Sequence, residues 1–277
     1  MKFTKMHGAG NDYVYVNGIN EVPNNLPDLS RAVSNRHFGI GADGLVIITS
    51  SDSCDFGMRI FNADGSEAEM CGNASRCIGK YLYENSLTDK TTISLETKAG
   101  TKILKLHLLD DHVKSVTVDM GEPIFDPAAL GIQSDKARLI NESLIAGGTE
   151  YRITCVSMGN PHAVIFVENL EDLDIEIIGP EIESHPFFKF RTNTEFVEVI
   201  SPQLIKMRVW ERGSGETLAC GTGACASLVA AHLNGLCSRS ASIMLPGGQL
   251  ELEWRESDNH VYMTGPAVTV FEGEINL

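Results

Sequence analysis

Apolar residues follow a helical period after Cys71 and again after Cys220. The first run predicts a helix that ends near Asn85-Ser86, with an apolar face formed by Ala74, Cys77, Ile78, Tyr81 and Leu82. The second run, Ala224–Leu233, is apolar on nearly every side, apart from Ser227 and His232, and stops at Asn234-Gly235. A helix that is apolar all round is typical of a buried helix.

Runs of β-branched and aromatic residues flank both predicted helices, and these runs predict strands. Two of them precede the helices, Tyr13–Val16 and Ala163–Val167. Four follow the helices: Thr92–Glu96, Val113–Asp119, Ser242–Leu245 and Leu250–Trp254. Each half of the chain therefore reads as strands, then a Cys-Gly pair at the start of a helix, then more strands.

The two halves are related by a shift of 149 residues, the spacing between Cys71 and Cys220. At this shift Cys71-Gly72 falls on Cys220-Gly221, and the same shift superimposes three further matches: Gly10-Asn11 on Gly159-Asn160, Met58-Arg59 on Met207-Arg208, and Glu67 on Glu216. We infer a duplication that gives two similar halves facing each other across a pseudo-twofold axis. The expected domains are residues 1–120, to which 267–277 returns, and residues 121–266, with the turn-rich segment Asp126–Gly148 as the join.

One motif matches a nucleotide-binding fingerprint by its letters alone. Gly39-x-Gly41-x-x-Gly44 should follow a strand and open a helix if it bound a dinucleotide. Here a predicted helix that ends near Arg36 precedes it, and the β-type run Leu45–Thr49 follows it. The context argues against nucleotide binding.

Composition limits the possible partners. A chain of 277 residues is comfortable for two domains, and its net charge of −15 repels phosphate backbones and anionic membranes. We therefore expect no nucleic-acid partner and no membrane partner. The N-terminus has no apolar signal region and no apolar run reaches 18 residues, so the expected location is the cytoplasm.

The seven cysteines are an odd number and contain no Cys-x-x-Cys pair, which argues against a zinc site and against a thioredoxin-type motif. Most of them read as small buried apolar residues. Cys71 and Cys220 differ, because both precede a predicted helix and both are duplicated. Free N–H groups and the positive end of the helix dipole are expected to lower the pKa of a thiol placed there.

Two opposed thiols suit the inversion of an amino-acid α-carbon without a cofactor. That reaction needs a base on one face of the carbon and an acid on the other, and a thiol with a reference pKa of about 8.5 can serve as either. The substrate carboxylate would lie at the two helix N-termini, where N–H groups of Gly72, Asn73, Gly221 and Thr222 bind an anion.

The sequence closely resembles the diaminopimelate epimerase family. The resemblance is carried around the cysteines by Asn62-Ala63-Asp64-Gly65-Ser66, Cys71-Gly72-Asn73-Ala74-Ser75-Arg76 and Glu211-Arg212-Gly213 through Cys220-Gly221-Thr222-Gly223. It continues in Gly10-Asn11-Asp12-Tyr13, Arg36–Gly44, Gly159-Asn160-Pro161-His162 and Asn193-Thr194-Glu195-Phe196. These motifs run in the family's order over most of the chain, and together they are highly specific.

The resemblance implies interconversion of LL- and meso-diaminopimelate on the route to lysine, by a homodimer that uses no cofactor and no metal. It implies an α+β fold of two mixed-sheet barrels, each wrapped round a central helix, with the active site between them. Cys71 and Cys220 match the acid–base pair, and His162 and Glu211 match residues that contact the substrate amino groups and support the thiols. The residues that match further substrate contacts are Asn62, Asn193 and Arg212 at the non-reacting end, with Asn11 and Asn160 nearby.

Two other readings stay open at this point. A proline-type racemase of the same fold would also use two thiols, although the Asn62 and Glu211-Arg212 motifs favour a substrate with a second amino-acid head group. A non-catalytic amino-acid-binding protein, or a thiol redox protein, is the third hypothesis. The absence of Cys-x-x-Cys argues against redox chemistry, and cysteines at two duplicated helix starts argue against binding alone.

Overall fold

The chain forms two compact units in a computed structural model that describes residues 1–276. Leu277, which the sequence assigned to the first domain with the rest of 267–277, lies outside the described residues. The first unit contains residues 1–119 and the described residues from Thr264 onward, and the second contains Met120–Met263.

The first unit begins with eight strands and two helices. The strands are β1 (Lys2–Gly8), β2 (Asn11–Asn17), β3 (Gly44–Thr49), β4 (Phe56–Asn62), β5 (Glu67–Ala68), β6 (Thr92–Thr97), β7 (Gly100–Leu109) and β8 (His112–Asp119), and the helices are α1 (Leu26–Ser34) and α2 (Gly72–Glu84). Antiparallel pairing joins β1 to β2, β3 to β4, β6 to β7 and β7 to β8. The β2/β3 and β4/β6 pairs are parallel, so the sheet is mixed.

The second unit repeats this order. Its strands are β9 (Glu142–Ala146), β10 (Thr149–Ser157), β11 (Pro161–Phe166), β12 (Asn193–Ser201), β13 (Leu204–Glu211), β14 (Gly215–Thr217), β15 (Ser240–Leu245) and β16 (Gly248–Trp254), with helices α3 (Ile175–Glu183) and α4 (Gly221–Leu233). Strand β17 (Val261–Gly265) crosses the boundary between the two units. Here β11/β12 and β13/β15 are the parallel pairs. The chain then returns to the first unit as β18 (Val268–Glu274), which pairs with β1.

The 149-residue shift found in the sequence holds for the observed elements. It superimposes α1 on α3 and α2 on α4 end to end, and it superimposes the parallel pair Tyr13↔Gly44 on the parallel pair His162↔Asn193. The predicted α+β fold is confirmed.

A helix lies at the centre of each unit, where the sequence predicted it. Helix α2 packs against β1, β2, β7 and β8, and α4 packs against six strands, β10 to β13, β15 and β16. Residues Gly223–Ala231 of α4 are all buried, as the all-round apolar pattern predicts. Burying a side chain such as Leu228 or Val229 contributes about 1.5–3 kcal/mol each, so these contacts hold the helix start in place.

Two segments differ from the sequence-based description. The segment Asp126–Gly148 contains a short 3-10 helix at Pro127–Leu130 and the strand β9, which pairs with β10, so it is part of the sheet and not only a join. Helix α3 was not predicted because it is short and contains Pro180, a residue that normally ends or kinks a helix. It is the counterpart of α1.

Within residues 1–276 no helix is both long enough and apolar enough to cross a membrane.

Candidate active site

Cys71 is the N-cap residue of helix α2. Its backbone is extended, with φ −141° and ψ 119°, and its carbonyl oxygen accepts the first hydrogen bond of the helix, from Ser75 N at 2.9 Å. The Ser75 hydroxyl donates to the same oxygen at 3.0 Å. The half-buried thiol therefore lies where the first-turn N–H groups have no partner inside the helix.

Asn11 links the Cys71 thiol to a buried polar network in the first unit. The thiol donates to Asn11 Oδ1 at 3.4 Å, and Asn73 Nδ2 donates to the same oxygen at 3.3 Å. The Asn11 amide nitrogen donates to Asp43 Oδ2 at 2.8 Å. Arg76, which is fully buried, donates to Asn73 Oδ1 at 2.9 Å. The orientation of the Asn11 amide is thereby fixed, with its oxygen facing Cys71.

Charged residues behind Asn11 hold Asp43 in place. Arg36 contacts both Asp43 and Asp12, at 2.9 and 2.8 Å. Burial raises the pKa of Asp43, and the negative charge of Asp12 adds to this rise. Burial also acts to raise the pKa of Asp12, but hydrogen bonds from Arg36 and Lys5 outweigh it, so the pKa of Asp12 is lowered.

Cys220 is the N-cap residue of helix α4, in the place that Cys71 has on α2. Its backbone is extended, with φ −118° and ψ 110°, and its carbonyl accepts from Ala224 N at 2.9 Å. Its sulfur accepts from Gly223 N at 3.4 Å and lies 3.5 Å from the Thr222 hydroxyl. Only 5% of the residue is exposed.

The pKa of the Cys220 thiol is raised well above its ordinary value. Burial is the largest cause, and the negative charges of Glu211 and Glu195 add to it, whereas hydrogen bonds from Thr222 and Gly223 act to lower it. The expectation that a helix N-terminus lowers the pKa of this thiol is therefore wrong. The thiol does lie at a helix N-terminus, but desolvation and two nearby carboxylates raise its pKa by more than the helix start lowers it.

Glu211, at the end of β13, lies near the Cys220 thiol, and the two groups shift each other's pKa. Burial raises the pKa of this carboxyl. Hydrogen bonds from Thr217 and Cys220 act against the rise, the charge of Glu195 adds to it, and the charge of His162 opposes it. Glu211 is thus placed to exchange a proton with the Cys220 sulfur.

His162 lies on β11 and is fully buried. Its Nδ1 lies 2.7 Å from Glu195 Oε1, and its Nε2 lies 3.0 Å from Asn160 Oδ1. The parallel register pairs His162 with Asn193, which brings Glu195, two residues further along β12, to the same face of the sheet. Neighbouring strands thus assemble Asn160, His162 and Glu195 next to the start of α4.

The residues expected at the non-reacting end of a substrate occupy two other places. In the second unit, Asn193 Oδ1 accepts from Arg212 N at 2.8 Å, and Asn193 Nδ2 donates to Pro161 O at 3.2 Å. The exposed Arg212 guanidinium donates to Phe190 O at 2.9 Å. In the first unit, the Asn62 amide donates to the Ser66 hydroxyl at 3.0 Å, and within residues 1–276 it has no hydrogen bond to the Cys71 network.

The structure therefore brings together most of the predicted residues within each unit. Gly72 and Asn73 open α2 beside Cys71 and Asn11, and Gly221 and Thr222 open α4 beside Cys220. The network at the start of α4 contains Asn160, His162 and Glu211. Asn193 accepts from the backbone of Arg212, and Asn62 bonds Ser66 instead of either network.

Two acidic residues of these networks, Asp43 and Glu195, had no role assigned from the sequence. A signal for Glu195 was present, since it is a charged residue inside the strand run Thr194–Val197, whose other members are buried. An acid at a buried strand position is costly unless it has a partner. Asp43 gave no comparable signal, because acidic residues are common in loops.

No cluster of three or more His, Cys, Asp or Glu residues that could hold a metal ion occurs among the residues the structure describes.

Comparison with known proteins covers the whole chain. A family model for diaminopimelate epimerase matches residues 3–125 and 154–270. The chain is 57% identical over 277 residues to a diaminopimelate epimerase of Methanococcus maripaludis strain C6, with 100% of both chains covered. It is also 57% identical to a diaminopimelate epimerase of Acetivibrio thermocellus, with 100% of this chain and 99% of the relative covered.

Solved structures show the same fold at low identity. A hydroxyproline epimerase from Agrobacterium vitis superposes with a TM-score of 0.70 at 17% identity, covering 99% of this chain and 90% of that one. A phenazine biosynthesis protein of the PhzF family from Bacillus anthracis gives 0.72 at 16% identity, covering 100% and 99%. At these identities the likeness shows the fold alone.

Gly223 separates Cys220 from Glu195, and this predicts the effect of adding one methyl group. A Cβ at position 223 would lie 2.6 Å from Glu195 Oε1 and 3.2 Å from Cys220 Sγ. We expect Gly223→Ala to lower the free energy of unfolding by about 1–3 kcal/mol, as overpacking does, measured by urea denaturation. Helix propensity alone predicts the opposite, a gain of about 1 kcal/mol. A variant at least as stable as the wild type would contradict the described contact.

The raised pKa of Cys220 predicts late ionisation of its thiol. The ultraviolet absorbance of thiolate, titrated in the wild type and corrected with the Cys220→Ser variant, should show a midpoint well above the ordinary value of about 8.5. Glu211→Gln removes one of the carboxylates that disfavour the thiolate, so it should lower that midpoint. Glu198→Gln, on the same strand as Glu195, is the control and should leave it unchanged. A wild-type midpoint at or below about 8.5 would show that the helix N-terminus dominates after all.

Proposed function

Because the chain belongs to the diaminopimelate epimerase family, we propose that it interconverts LL- and meso-diaminopimelate, on the route to lysine, with Cys71 and Cys220 as the acid–base pair. The observation that carries the assignment of the pair is structural. Both thiols occupy the N-cap position of the central helix in a duplicated unit, and each has a polar network at its sulfur. The five other cysteines have no such duplicated position.

The proposed reaction moves one proton off the α-carbon and one proton on. A thiolate removes the α-proton, and the electron pair of the broken C–H bond moves into the substrate carboxylate. The other thiol then donates a proton to the opposite face of the carbon, which restores the C–H bond with inverted configuration. One cysteine ends protonated and the other ionised, so the pair has exchanged roles and the reverse reaction follows the same path.

The surroundings of Cys220 favour the thiol form at the start of the cycle. Burial and two carboxylates disfavour a negative charge on this sulfur. Cys220 is then the acid when Cys71 is the base, and Glu211, which lies near Cys220, is placed to return a proton to it. The amide oxygen of Asn11 accepts from the Cys71 thiol, so it positions Cys71 in its protonated form, as the acid of the reverse reaction.

The helix starts supply the expected site for the reacting carboxylate. N–H groups of Gly72 and Asn73 on α2, and of Gly221 and Thr222 on α4, lie at positive helix ends, where an anion is favoured by about 0.3–1 kcal/mol per site in exposed settings and by more in buried ones. The same donors stabilise the charge that develops on the carboxylate as the proton leaves.

The second amino-acid end of the substrate needs its own partners. We assign the distal carboxylate to the exposed guanidinium of Arg212, which can offer two parallel donors, and we assign further contacts to Asn62 and Asn160. Asn193 contributes by holding Arg212, because both ends of its amide bond to backbone atoms.

The protein's setting is proposed on separate grounds. All seven cysteines are free, which is typical of a reducing compartment and supports a location in the cytoplasm. A homodimer is supported by strand β18, which exposes the apolar side chains Val268, Val270 and Phe271 beside its pairing with β1. Apolar side chains exposed on a strand are typical of an interaction surface.

Serine substitutions test the proposed function. The purified wild type should convert LL-diaminopimelate to the meso form, measured by chiral chromatography. Cys71→Ser and Cys220→Ser should each lower kcat by about 10²–10⁴-fold, because a hydroxyl hardly ionises near neutral pH. The double variant should be scarcely worse than either single one, since the two residues act as a unit.

Cys77→Ser and Cys225→Ser are the matched controls. Both residues are fully buried inside the same two helices and not at their N-caps, so neither thiol is placed to reach a substrate. Both variants should retain the wild-type rate within a few-fold. A wild type without epimerase activity would remove the proposed function, and a crippled control beside an active Cys71→Ser or Cys220→Ser would show that the pair is misassigned.

A further inference from the structure

Glu195 is a buried acid in a place where the first unit has an apolar residue. At the 149-residue shift its counterpart is Val46, on β3, and both residues are fully buried. Glu195 Oε2 has no hydrogen-bond partner among the described residues. A carboxylate in such a place is destabilising compared with a well-packed apolar side chain. Its presence in only one of two duplicated halves therefore points to a function.

The partner of Glu195 is His162, and the geometry fixes the protons between them. Nδ1 of the ring faces Glu195 Oε1 at 2.7 Å, and Nε2 faces Asn160 Oδ1 at 3.0 Å. An amide oxygen is only an acceptor, so Nε2 must carry a proton and donate it. A second proton must lie between Nδ1 and Glu195, because a short contact between two bare acceptors is repulsive. The counterpart of His162 in the first unit is Tyr13, which has no imidazole to orient.

His162 in turn fixes the amide of Asn160. Since the Asn160 oxygen accepts from Nε2, the NH₂ group of Asn160 is the end left to face a ligand. The equivalent residue in the first unit, Asn11, has the opposite arrangement. Its NH₂ group is bound by Asp43, and its oxygen faces the Cys71 thiol. Two asparagines at one duplicated position thus present a donor in one half and an acceptor in the other.

The backbone around Glu195 is shaped to keep this acid close to the helix start. Gly223, in the first turn of α4, leaves room for Glu195 Oε1 where any side chain would meet it at 2.6 Å. In the first unit the equivalent residue is Ala74, which has a side chain and lies in the unit where position 46 is valine. The glycine and the acid therefore occur together in the same half.

We propose that Glu195 is a positioning residue that holds His162 with a proton on Nε2 and another shared at Nδ1, and that through His162 it turns the Asn160 NH₂ group toward an anionic group of the substrate. This inference rests on the proposed function and deepens it. Glu195 does not touch the reacting carbon in this account. It acts through His162, and its effect is that Asn160 in the second unit presents a hydrogen-bond donor where Asn11 in the first unit presents an acceptor.

The test uses Glu195→Gln, which keeps the shape of the side chain and removes its charge. Long-range ¹H–¹⁵N correlation spectra of the ring, assigned with a His162→Gln variant, report which nitrogens carry protons. The wild type should show protons associated with both ring nitrogens of His162, and Glu195→Gln should lose the one at Nδ1. Its kcat should fall by roughly 10–10²-fold, as when a supporting hydrogen-bond partner of a functional histidine is lost, with the melting temperature retained.

Glu183→Gln is the matched control, since Glu183 is another buried acid of the second unit and bonds Trp210 and Gly213 instead of a histidine. It should leave the His162 signals unchanged. A wild-type His162 with one bare nitrogen would overturn the proposal, and this reading does not depend on whether a variant folds. A Glu195→Gln enzyme that keeps the wild-type ring signals and the wild-type kcat would also overturn the proposal. A wild type that does not act on diaminopimelate would remove the proposed function, while the ring spectra would still decide the protonation of His162.

Discussion

The site depends on one constraint, which is that the N–H groups of a helix's first turn have no carbonyl partner inside the helix. In each unit that residue is a cysteine with extended backbone, and its carbonyl starts the hydrogen-bond ladder while its thiol stays beside the open N–H groups. Burial of the central helix fixes where this start lies. Because α4 is enclosed on nearly all sides, a thiol at its N-cap cannot move far without loss of core packing.

Duplication gives the two thiols the same backbone setting, and the surrounding side chains make them different. Cys71 faces an amide oxygen that is held by a network of asparagine, aspartate and arginine. Cys220 is almost fully enclosed and has carboxylates near its sulfur. An inversion requires one acid and one base at any moment. In the proposed inversion, the different surroundings of the two sulfurs allow one thiol to be protonated while the other is ionised.

The sequence was sufficient for those features that depend on local pattern and on the repeat. Helix α2, helix α4, the strands beside them and the 149-residue shift follow from periodicity and from residue matches. Helix α3 was missed because Pro180 lies inside it, and strand β9 was missed because its place is set by pairing with β10. The direction of the Cys220 pKa shift was predicted wrongly because it too depends on groups that are distant in the sequence. The carboxylates that raise it come from β12 and from the end of β13, and no local pattern brings them to the start of α4.

The central claim is that two different groups act on opposite faces of one carbon, and the early course of the reaction in D₂O tests it most directly. LL-diaminopimelate should give a meso product that carries one deuterium at the inverted carbon from the first turnovers, because the donating thiol exchanges with solvent. The LL substrate recovered at the same time should still carry hydrogen, because the thiol that removes the proton does not return a deuteron to the same face before product leaves. A meso product that retains the substrate's own hydrogen, or LL substrate that gains deuterium faster than product forms, would contradict the two-thiol account.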